Sequence, residues 1–296
     1  DLLYLCTANG VEWTHKYVVH PEAPSVVVVN KHTGKLVARD DFKIGPDITH
    51  GQWSSIATGK VGDRELGFFG AGNGVLYAFD MLKPESLGGG PVSIPPVWKF
   101  RGDPLAQTQD NVPADHQHDS KSYQVTAMPV FHKNRIYLAF TQEPFHRMQL
   151  GWLVCVDAAK TGDVTRGGIV WSYDALRAST STVAIADGLV YAAGFWGKLH
   201  CLDAETGQPY WVHDAAQPVS GSPLVADGKV YLGTGRQHLW VLRAGKQLEV
   251  LSRIPMRGKI SSTPTAANGT LFVSTWRHLY AVADLGAKPA PKTAGN

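Results

Sequence analysis

A segment of about 40 residues recurs along this chain, and the repeat constrains the fold more than any other feature. Three copies read TVAIADGLVY, SPLVADGKVY and TPTAANGTLF, and they end at Tyr191, Tyr231 and Phe272. These aromatic residues lie 40 and 41 positions apart. A period near 40 that is built from short β runs and tight turns is typical of a β-propeller, whose four-stranded blades surround a common axis. The repeat therefore predicts an all-β propeller.

Each repeat carries four strand signals, which we name A to D, and turn residues separate them. Asx-Gly pairs supply the positive φ angles of primed hairpin turns. The A–B turns are predicted at Asp187-Gly188, Asp227-Gly228, Asn268-Gly269 and, from a weaker signal, Lys133-Asn134. The C–D turns carry Thr-Gly at Thr33-Gly34, Thr161-Gly162 and Thr206-Gly207. The D strands carry Trp98, Trp171 and Trp211.

Six repeats can be placed on the chain. Their approximate bounds are 1–41, 50–100, 122–174, 180–214, 220–255 and 260–284. The first repeat lacks strand A and the sixth lacks strand D. Because a closed ring avoids exposed strand edges, we expect residues 1–284 to form one incomplete propeller domain of a seven- or eight-bladed ring. The chain then reads as an N-terminally truncated fragment, with 285–296 as a disordered tail or linker.

The run that ends at Trp211 resembles the tryptophan-docking repeat of the pyrroloquinoline-quinone (PQQ) propeller superfamily. The matching residues are Asp203, Thr206, Gly207 and Trp211, and Asp157, Thr161, Gly162 and Trp171 match in part. In that superfamily the indole packs between blades and the Thr-Gly pair forms an outer hairpin. The resemblance covers about 1–284 and implies a PQQ-binding-like β-propeller repeat protein.

The superfamily implies two classes of function. One class is noncatalytic scaffolds that lie in the periplasm or otherwise outside the cytoplasm. The other is quinoprotein dehydrogenases, which hold PQQ and usually Ca²⁺, and many of which have an adjacent Cys-Cys pair that this chain lacks. We expect a noncatalytic extracytoplasmic binding scaffold with a protein or carbohydrate partner. The alternative is a PQQ-dependent dehydrogenase that oxidises an alcohol or a sugar.

The composition bears on the partners as well. The net charge is only +3 and the basic residues are scattered along the sequence, so we predict no nucleic-acid partner. No apolar run approaches the roughly 18–20 residues that span a bilayer, so no transmembrane segment is predicted. Cys6, Cys155 and Cys201 are interpreted as small buried residues. Cys155 and Cys201 each precede a repeat aspartate by two residues, which predicts equivalent strand positions.

Antiparallel strands divide the connections of every blade between two sides. The B–C and D–A connections emerge on one side, which we call the first face, and the A–B and C–D connections emerge on the second face. Long connections are predicted on the first face at 9–24, 42–51, 101–121 and 141–151, and on the second face at 81–96 and 163–168. Long loops in a repeat array are often functional, so we expect the ligand site on the first face.

The candidate ligand-binding residues are those that the first face would carry. They are Trp13, His15, His50, Trp53, Glu143, His146, Trp196, Arg236, Trp276 and Arg277. A metal site is a weaker hypothesis, with the ligands His116, His118 and Asp119. The glycine-rich run that ends at Gly74 is interpreted as a hairpin turn because it lacks the spacing of a phosphate loop. No catalytic motif identifies residues for an enzymatic reaction.

Overall fold

The structure of the protein is a computed structural model that describes residues 1–14, 17–48, 50–84, 90–108, 123–142 and 150–284. Within these residues it contains β-strands and two short 3-10 helices. None of the described segments forms a helix that is long and apolar enough to cross a bilayer. The chain divides into two compact units, Asp1–Ser179 (unit 1) and Thr180–Asn296 (unit 2). A single domain over 1–284 stays a prediction.

Unit 1 contains three sheets, which we number as blades one to three. Its strands are β1 (Leu2–Cys6), β2 (Val26–Asn30), β3 (Leu36–Asp40), β4 (Ile56–Val61), β5 (Arg64–Gly70), β6 (Val75–Asp80), β7 (Val92–Ile94), β8 (Trp98–Arg101), β9 (Tyr123–Gln124), β10 (Val130–His132), β11 (Arg135–Gln142), β12 (Gly151–Asp157), β13 (Gly162–Asp163) and β14 (Ile169–Tyr173). The strand orders are β1-β2-β3-β7, then β4-β5-β6-β8-β13, then β10-β11-β12-β14, with β9 also paired to β11. The 3-10 helices are Gly45–Asp47 and Pro104–Gln107.

Unit 2 contains blades four to six. Their strands are β15 (Ala184–Ala186), β16 (Leu189–Ala193), β17 (Lys198–Asp203), β18 (Pro209–Asp214), β19 (Leu224–Ala226), β20 (Lys229–Gly233), β21 (His238–Arg243), β22 (Val250–Pro255), β23 (Thr265–Ala267), β24 (Thr270–Ser274) and β25 (Leu279–Ala283). Blades four and five are four-stranded antiparallel meanders, and blade six has three strands within the described residues. The predicted β-propeller blades are confirmed, and the number of blades in a whole ring stays a prediction.

The A–B turns have the backbone conformation that their residues predict. The positive φ angles are 48° and 60° at Lys133 and Asn134, 50° and 76° at Asp187 and Gly188, 49° and 64° at Asp227 and Gly228, and 49° and 73° at Asn268 and Gly269. Two consecutive positive φ angles are the signature of a type I′ turn, whose twist matches the right-handed twist of the strands. These turns therefore fix the register of strands A and B in blades three to six.

The cores lie between consecutive blades of the same unit. Strands β11 and β12 read RIYLAFTQ and GWLVCVD, and their central residues are buried on both sides. Side chains of β5 and β6, such as Phe68 and Leu76, share one core with Ile136 and Val154 of blade three. Near-continuous apolar strands form because both faces of an inner strand are covered. The same arrangement joins blades four and five.

Two of the repeat tryptophans, Trp98 and Trp211, link one blade to the next, as the resemblance implied for the repeat. Trp98 Nε1 donates to the carbonyl oxygen of Ala158 at 3.1 Å, and Trp211 Nε1 donates to that of Gly245 at 2.9 Å. Each acceptor follows strand C of the next blade. Because each indole packs in one blade and hydrogen-bonds to the next, it fixes the contact between them.

The two long C–D connections were predicted as loops on the second face, and this prediction is wrong in part. The connection 81–96 contains β7, which pairs in parallel with β3 of the preceding blade. The connection 163–168 follows β13, which pairs in parallel with β8 of the preceding blade. Each short strand satisfies backbone groups that an outer edge strand would otherwise expose. The insertions therefore contribute an additional outer strand to blades one and two.

The connection 42–51 also differs from a surface loop. Its side chains Phe42, Ile44 and Ile48 are buried in the core between blades one and two. The Phe42 ring stacks on Tyr77 with the ring centroids 4.8 Å apart. This connection therefore stabilises the fold, and apolar residues at three of its positions are the signal for that role.

Candidate functional site

Hydrogen bonds within unit 2 confirm how the connections are divided between the two faces. On the first face, Val219 N donates to Phe195 O, Gly235 N to Pro218 O, Met256 N to Gln237 O, and Trp276 N to Lys259 O, over 2.7–3.0 Å. On the second face, Ala204 N donates to Gly188 O and Ala244 N to Gly228 O, both at 2.9 Å. Each D–A connection of this unit thus lies between the B–C turns of two consecutive blades.

The B–C turns of unit 2 are short and equivalent. They span 194–197, 234–237 and 275–278, between paired ends of strands B and C. Their third residues are Trp196, Arg236 and Arg277. Trp196 is 56% exposed and Trp276, beside Arg277, is 70% exposed. These four predicted residues therefore lie at the exposed first face of unit 2.

A cleft opens between the B–C turns of blades five and six. Its volume is about 500 Å³, and its lining residues are Gln237, Arg257, Gly258, Lys259, Trp276, Arg277 and His278. The two B–C turns and the D–A connection between them each contribute a wall. We call this cavity the Trp276 cleft.

The backbone of the Trp276 cleft is held in place by local hydrogen bonds. Thr275 Oγ1 donates to the carbonyl oxygen of Arg257 at 2.9 Å, and Trp276 Nε1 donates to Ser261 Oγ at 2.9 Å. Gly258 has a φ of +103°, and a Cβ atom there would lie 3.2 Å from Thr275 Oγ1. Only glycine adopts this backbone conformation without strain. The cleft is therefore preformed, and the hydrogen bond from Nε1 to Ser261 holds the Trp276 indole in place.

The charge of the cleft is positive. Arg257, Lys259 and Arg277 are all exposed, and no acidic residue lines the cleft in the part of the chain that the structure describes. The ammonium group of Lys259 lies 5.0 Å from the centroid of the Trp276 ring, where a cation is attracted by the ring's π electrons. The sequence analysis described the basic residues as scattered, and this interpretation is wrong for unit 2. Residues separated by 20 positions in sequence meet because the B–C turn pairs with the D–A connection.

A sequence signal for this cleft exists and was missed. The stretch 250–283 contains four Arg or Lys residues and no Asp or Glu. The net charge of the whole chain does not reveal this stretch, because in residues 1–179 the 18 acidic residues nearly balance the 17 basic residues. Among the cleft residues, sequence analysis selected Trp276 and Arg277 and missed Gln237, Arg257, Lys259 and His278.

Only some of the predicted site residues of unit 1 are described. Trp13 is 88% exposed, and Val11 and Val18 of the same connection form an isolated antiparallel bridge. His50 and Trp53 stack with their ring centroids 5.6 Å apart, and Trp53 is 57% exposed. His15, His116, His118, Asp119, Glu143 and His146 lie outside the described residues. Their roles in ligand or metal binding stay predictions.

Cys155 and Cys201 are buried as predicted, whereas Cys6 is only partly buried. Among the described residues none of the three forms a disulfide. Cys155 pairs with Tyr137 and Trp171, and Cys201 pairs with Tyr191 and Trp211, so both occupy the same position in their blades. Burial raises the pKa of the Cys201 thiol to about 12, and burial together with Asp40 raises that of Cys6 to about 11. Both thiols are therefore protonated and unreactive at neutral pH.

These observations define the class: the chain has the fold of a β-propeller protein. A family described as "Outer membrane protein assembly factor BamB" matches residues 151–273. Comparison with proteins of curated function found no match.

Solved structures show the same fold at low identity. The chain is similar to BamB from Moraxella catarrhalis, with 14% identity and a TM-score of 0.57 over 84% of this chain and 63% of that chain. The computationally designed Ika8 protein is 14% identical, with a TM-score of 0.52 over 87% of this chain and 65% of that chain. Quinohemoprotein alcohol dehydrogenase from Comamonas testosteroni is 15% identical, with a TM-score of 0.53 over 88% of this chain and 48% of that chain. The chain thus spans less than two thirds of each of these proteins.

Proposed function

We infer that this propeller is a noncatalytic binding or scaffold protein that holds a protein partner against the first face of unit 2. The observation that carries the proposal is the Trp276 cleft, a concave and preformed surface with an exposed indole and cationic side chains. Buried Trp and Arg side chains dominate the binding energy of many protein interfaces. Exposed Trp196 and Arg236, at the equivalent positions of blades four and five, extend the same face.

The comparisons support a protein partner and a location outside the cytoplasm. The matching family is described as an outer membrane protein assembly factor, and a scaffold of that kind acts by binding other proteins. A periplasmic or otherwise extracytoplasmic location is part of the proposal on the same ground. A carbohydrate ligand has no support among the comparisons, and the proposal is limited to a protein.

The alternative hypothesis is a PQQ-dependent dehydrogenase. The likeness to a quinohemoprotein alcohol dehydrogenase, at 15% identity, concerns the fold. The resemblance implies that Ca²⁺ would accompany PQQ, and Ca²⁺ prefers six to eight oxygen ligands. Within the described residues no group of three His, Cys, Asp or Glu side chains is close enough to hold a metal ion. We assign no catalytic step to those residues.

Site-specific photo-crosslinking tests the proposed binding face. A photoreactive phenylalanine analogue would replace Trp196 or Arg236 on the first face, and Glu205 or Asp227 on the second face as matched exposed controls. The protein would be irradiated in the cells that express it naturally. We expect the same protein adduct, identified by mass spectrometry, from both first-face positions and from neither control.

Two results would contradict the proposal. Adducts of equal yield from both faces would show that the first face has no special role. Absence of any adduct, together with saturable PQQ binding and PQQ-dependent dye reduction by the same protein, would replace the scaffold with the dehydrogenase.

A further inference from the structure

The cations of the Trp276 cleft lack the acidic partners that several other described surface cations of this protein have. These pairs are Arg64–Asp80 at 2.7 Å, Lys99–Asp163 at 3.5 Å, Lys229–Asp227 at 2.6 Å and Arg243–Glu249 at 2.5 Å. Within the described residues, Arg257, Lys259 and Arg277 form no ion pair. Three uncompensated positive charges around one concave surface create a local field that attracts anions.

All three cations come from the stretch 250–283, which contains no acidic residue. Residues 180–296 contain 11 basic and 7 acidic residues. A second cleft, in unit 1, has a volume of about 440 Å³ and is lined by Glu22, Asp40 and Asp41 as well as by Arg39 and Lys43. Charges of both signs line that cleft, whereas the charged lining of the Trp276 cleft is entirely basic. Of these two clefts, only the Trp276 cleft has a charged lining of one sign among the described residues.

The side chains also indicate which anion fits. The planar guanidinium groups of Arg257 and Arg277 can each hold a carboxylate through two parallel hydrogen bonds. Trp276 offers an exposed ring for the apolar part of a ligand, and Lys259 covers one side of that ring. A site with two guanidinium groups and an exposed aromatic ring suits carboxylates that are spaced along a flexible backbone.

The size of the cleft argues against a nucleic acid. A cleft of about 500 Å³ accommodates a few side chains of a peptide. Proteins that bind single-stranded nucleic acids use a basic groove that tracks the backbone, with aromatic rings spaced for successive bases. The cations of this cleft gather at one place, and the net charge of the whole chain is only +3.

We propose that the Trp276 cleft binds a Glu- or Asp-rich peptide segment of a partner protein. Arg257 and Arg277 would bind its carboxylates, Lys259 would contribute to the attraction, and Trp276 would contact its aliphatic groups. The inference rests on the proposed binding role of the first face, and it adds the chemistry of the partner. Because the contacts are electrostatic and exposed, added salt weakens the complex.

Calorimetric titration of the full chain with a defined probe tests the inference. The probe is a short capped peptide of alternating Glu and Ser, and a Gln–Ser peptide of equal length is the neutral control. The double variant Arg257→Glu/Arg277→Glu should bind the acidic peptide at least about tenfold more weakly than the unmodified protein does, because attraction becomes repulsion. The Arg257→Gln/Arg277→Gln variant should fall between them.

The matched control is Lys229→Glu/Arg243→Glu, which makes the same change in net charge outside the cleft. Its affinity should stay within roughly twofold of that of the unmodified protein, since long-range charge is screened by salt. Circular dichroism of each variant checks that it is folded. If the Glu reversal fails to fold, the Gln pair carries the comparison.

Three outcomes would overturn the inference. They are no binding of the acidic peptide by the unmodified protein, equal weakening by the control pair, and tighter binding of a length-matched oligonucleotide in place of the peptide. The crosslinking positions 196 and 236 lie outside the residues changed in this experiment. A partner that crosslinks from them while acidic peptides fail to bind would leave the scaffold function in place and remove only the acidic ligand.

Discussion

Trp211 joins two blades through a single side chain. The indole is 8% exposed, packs against Tyr191 with the ring centroids 6.0 Å apart, and donates to Gly245 of the next blade. The hydroxyl of Tyr191 in turn accepts a hydrogen bond from the Gly245 amide at 2.8 Å. Both polar groups of Gly245 are thereby satisfied by side chains of the preceding blade. A buried network of this kind specifies one packing arrangement because each broken bond leaves a polar group without a partner.

Substitution of Trp211 should therefore destabilise the protein strongly. We expect Trp211→Ala to lower the free energy of unfolding by about 3–5 kcal/mol through lost packing. Trp211→Phe should lower it by about 1–3 kcal/mol, chiefly because the Gly245 carbonyl loses the indole donor and keeps only the weak Cys201 thiol donor at 3.6 Å. Urea titration measures both. The neighbouring Val212→Ala, on the exposed side of β18, is the control and should cost less than about 1 kcal/mol; equal losses at both positions would contradict the docking role.

A buried histidine in blade four predicts sensitivity to acid. Burial, and to a smaller extent Lys198, lowers the pKa of His200 to about 4. The unfolded chain has a histidine pKa near 6.5, so between these values it binds a proton that the folded chain does not. The stability that is present above about pH 6.5 is therefore lost as the pH falls towards 4. Burial also lowers the pKa of His213, which acts in the same direction.

The change in stability with pH can be measured directly. Between pH 7 and pH 5, His200 should account for a loss of about 2 kcal/mol in the free energy of unfolding. His200→Gln should remove that part of the pH dependence in urea titrations at the two pH values. His32→Gln, at an exposed histidine, is the control and should behave as the unmodified protein. An unchanged pH dependence in His200→Gln would refute the assignment.

At the scale of elements, the hairpins were predictable and the inserted strands were not. The Asx-Gly pairs predicted the A–B turns because a positive φ angle is a property of two adjacent residues. Strands β7 and β13 have two or three residues each and pair in parallel with strands of the preceding blade. Their pairing depends on contacts between segments that are distant in sequence, and so few residues carry no periodic signal.

The turn geometry makes its own prediction. Gly228 has a φ of +64°, where a Cβ atom is strained, so Gly228→Ala should destabilise the protein by about 1 kcal/mol. Gly90→Ala is the control, since Gly90 lacks a positive φ and has open space around its Cβ position. Thermal denaturation of both variants provides the comparison. A loss of stability for Gly90→Ala as large as that for Gly228→Ala would contradict the conformational argument.

At the scale of the whole molecule, the repeat predicts the propeller blades but does not identify the ligand. The side on which each connection lies follows from strand direction, and the hydrogen bonds of unit 2 agree with it. The position of a cleft did not follow from loop length: 42–51 is long and packs in the core, whereas two walls of the Trp276 cleft are formed by four-residue B–C turns. Its cations converge only when blades five and six are side by side, and that proximity is a property of the tertiary fold.

The proposal that the first face of unit 2 binds an acidic segment can be tested most directly by hydrogen exchange of the full chain with and without the Glu–Ser peptide. The account predicts slower exchange at residues 256–260 and 275–278, which line or adjoin the Trp276 cleft, and no change at the second-face turns 203–207 and 227–228. Slower exchange at the second-face turns, or no change at either face when the peptide is saturating, would contradict it.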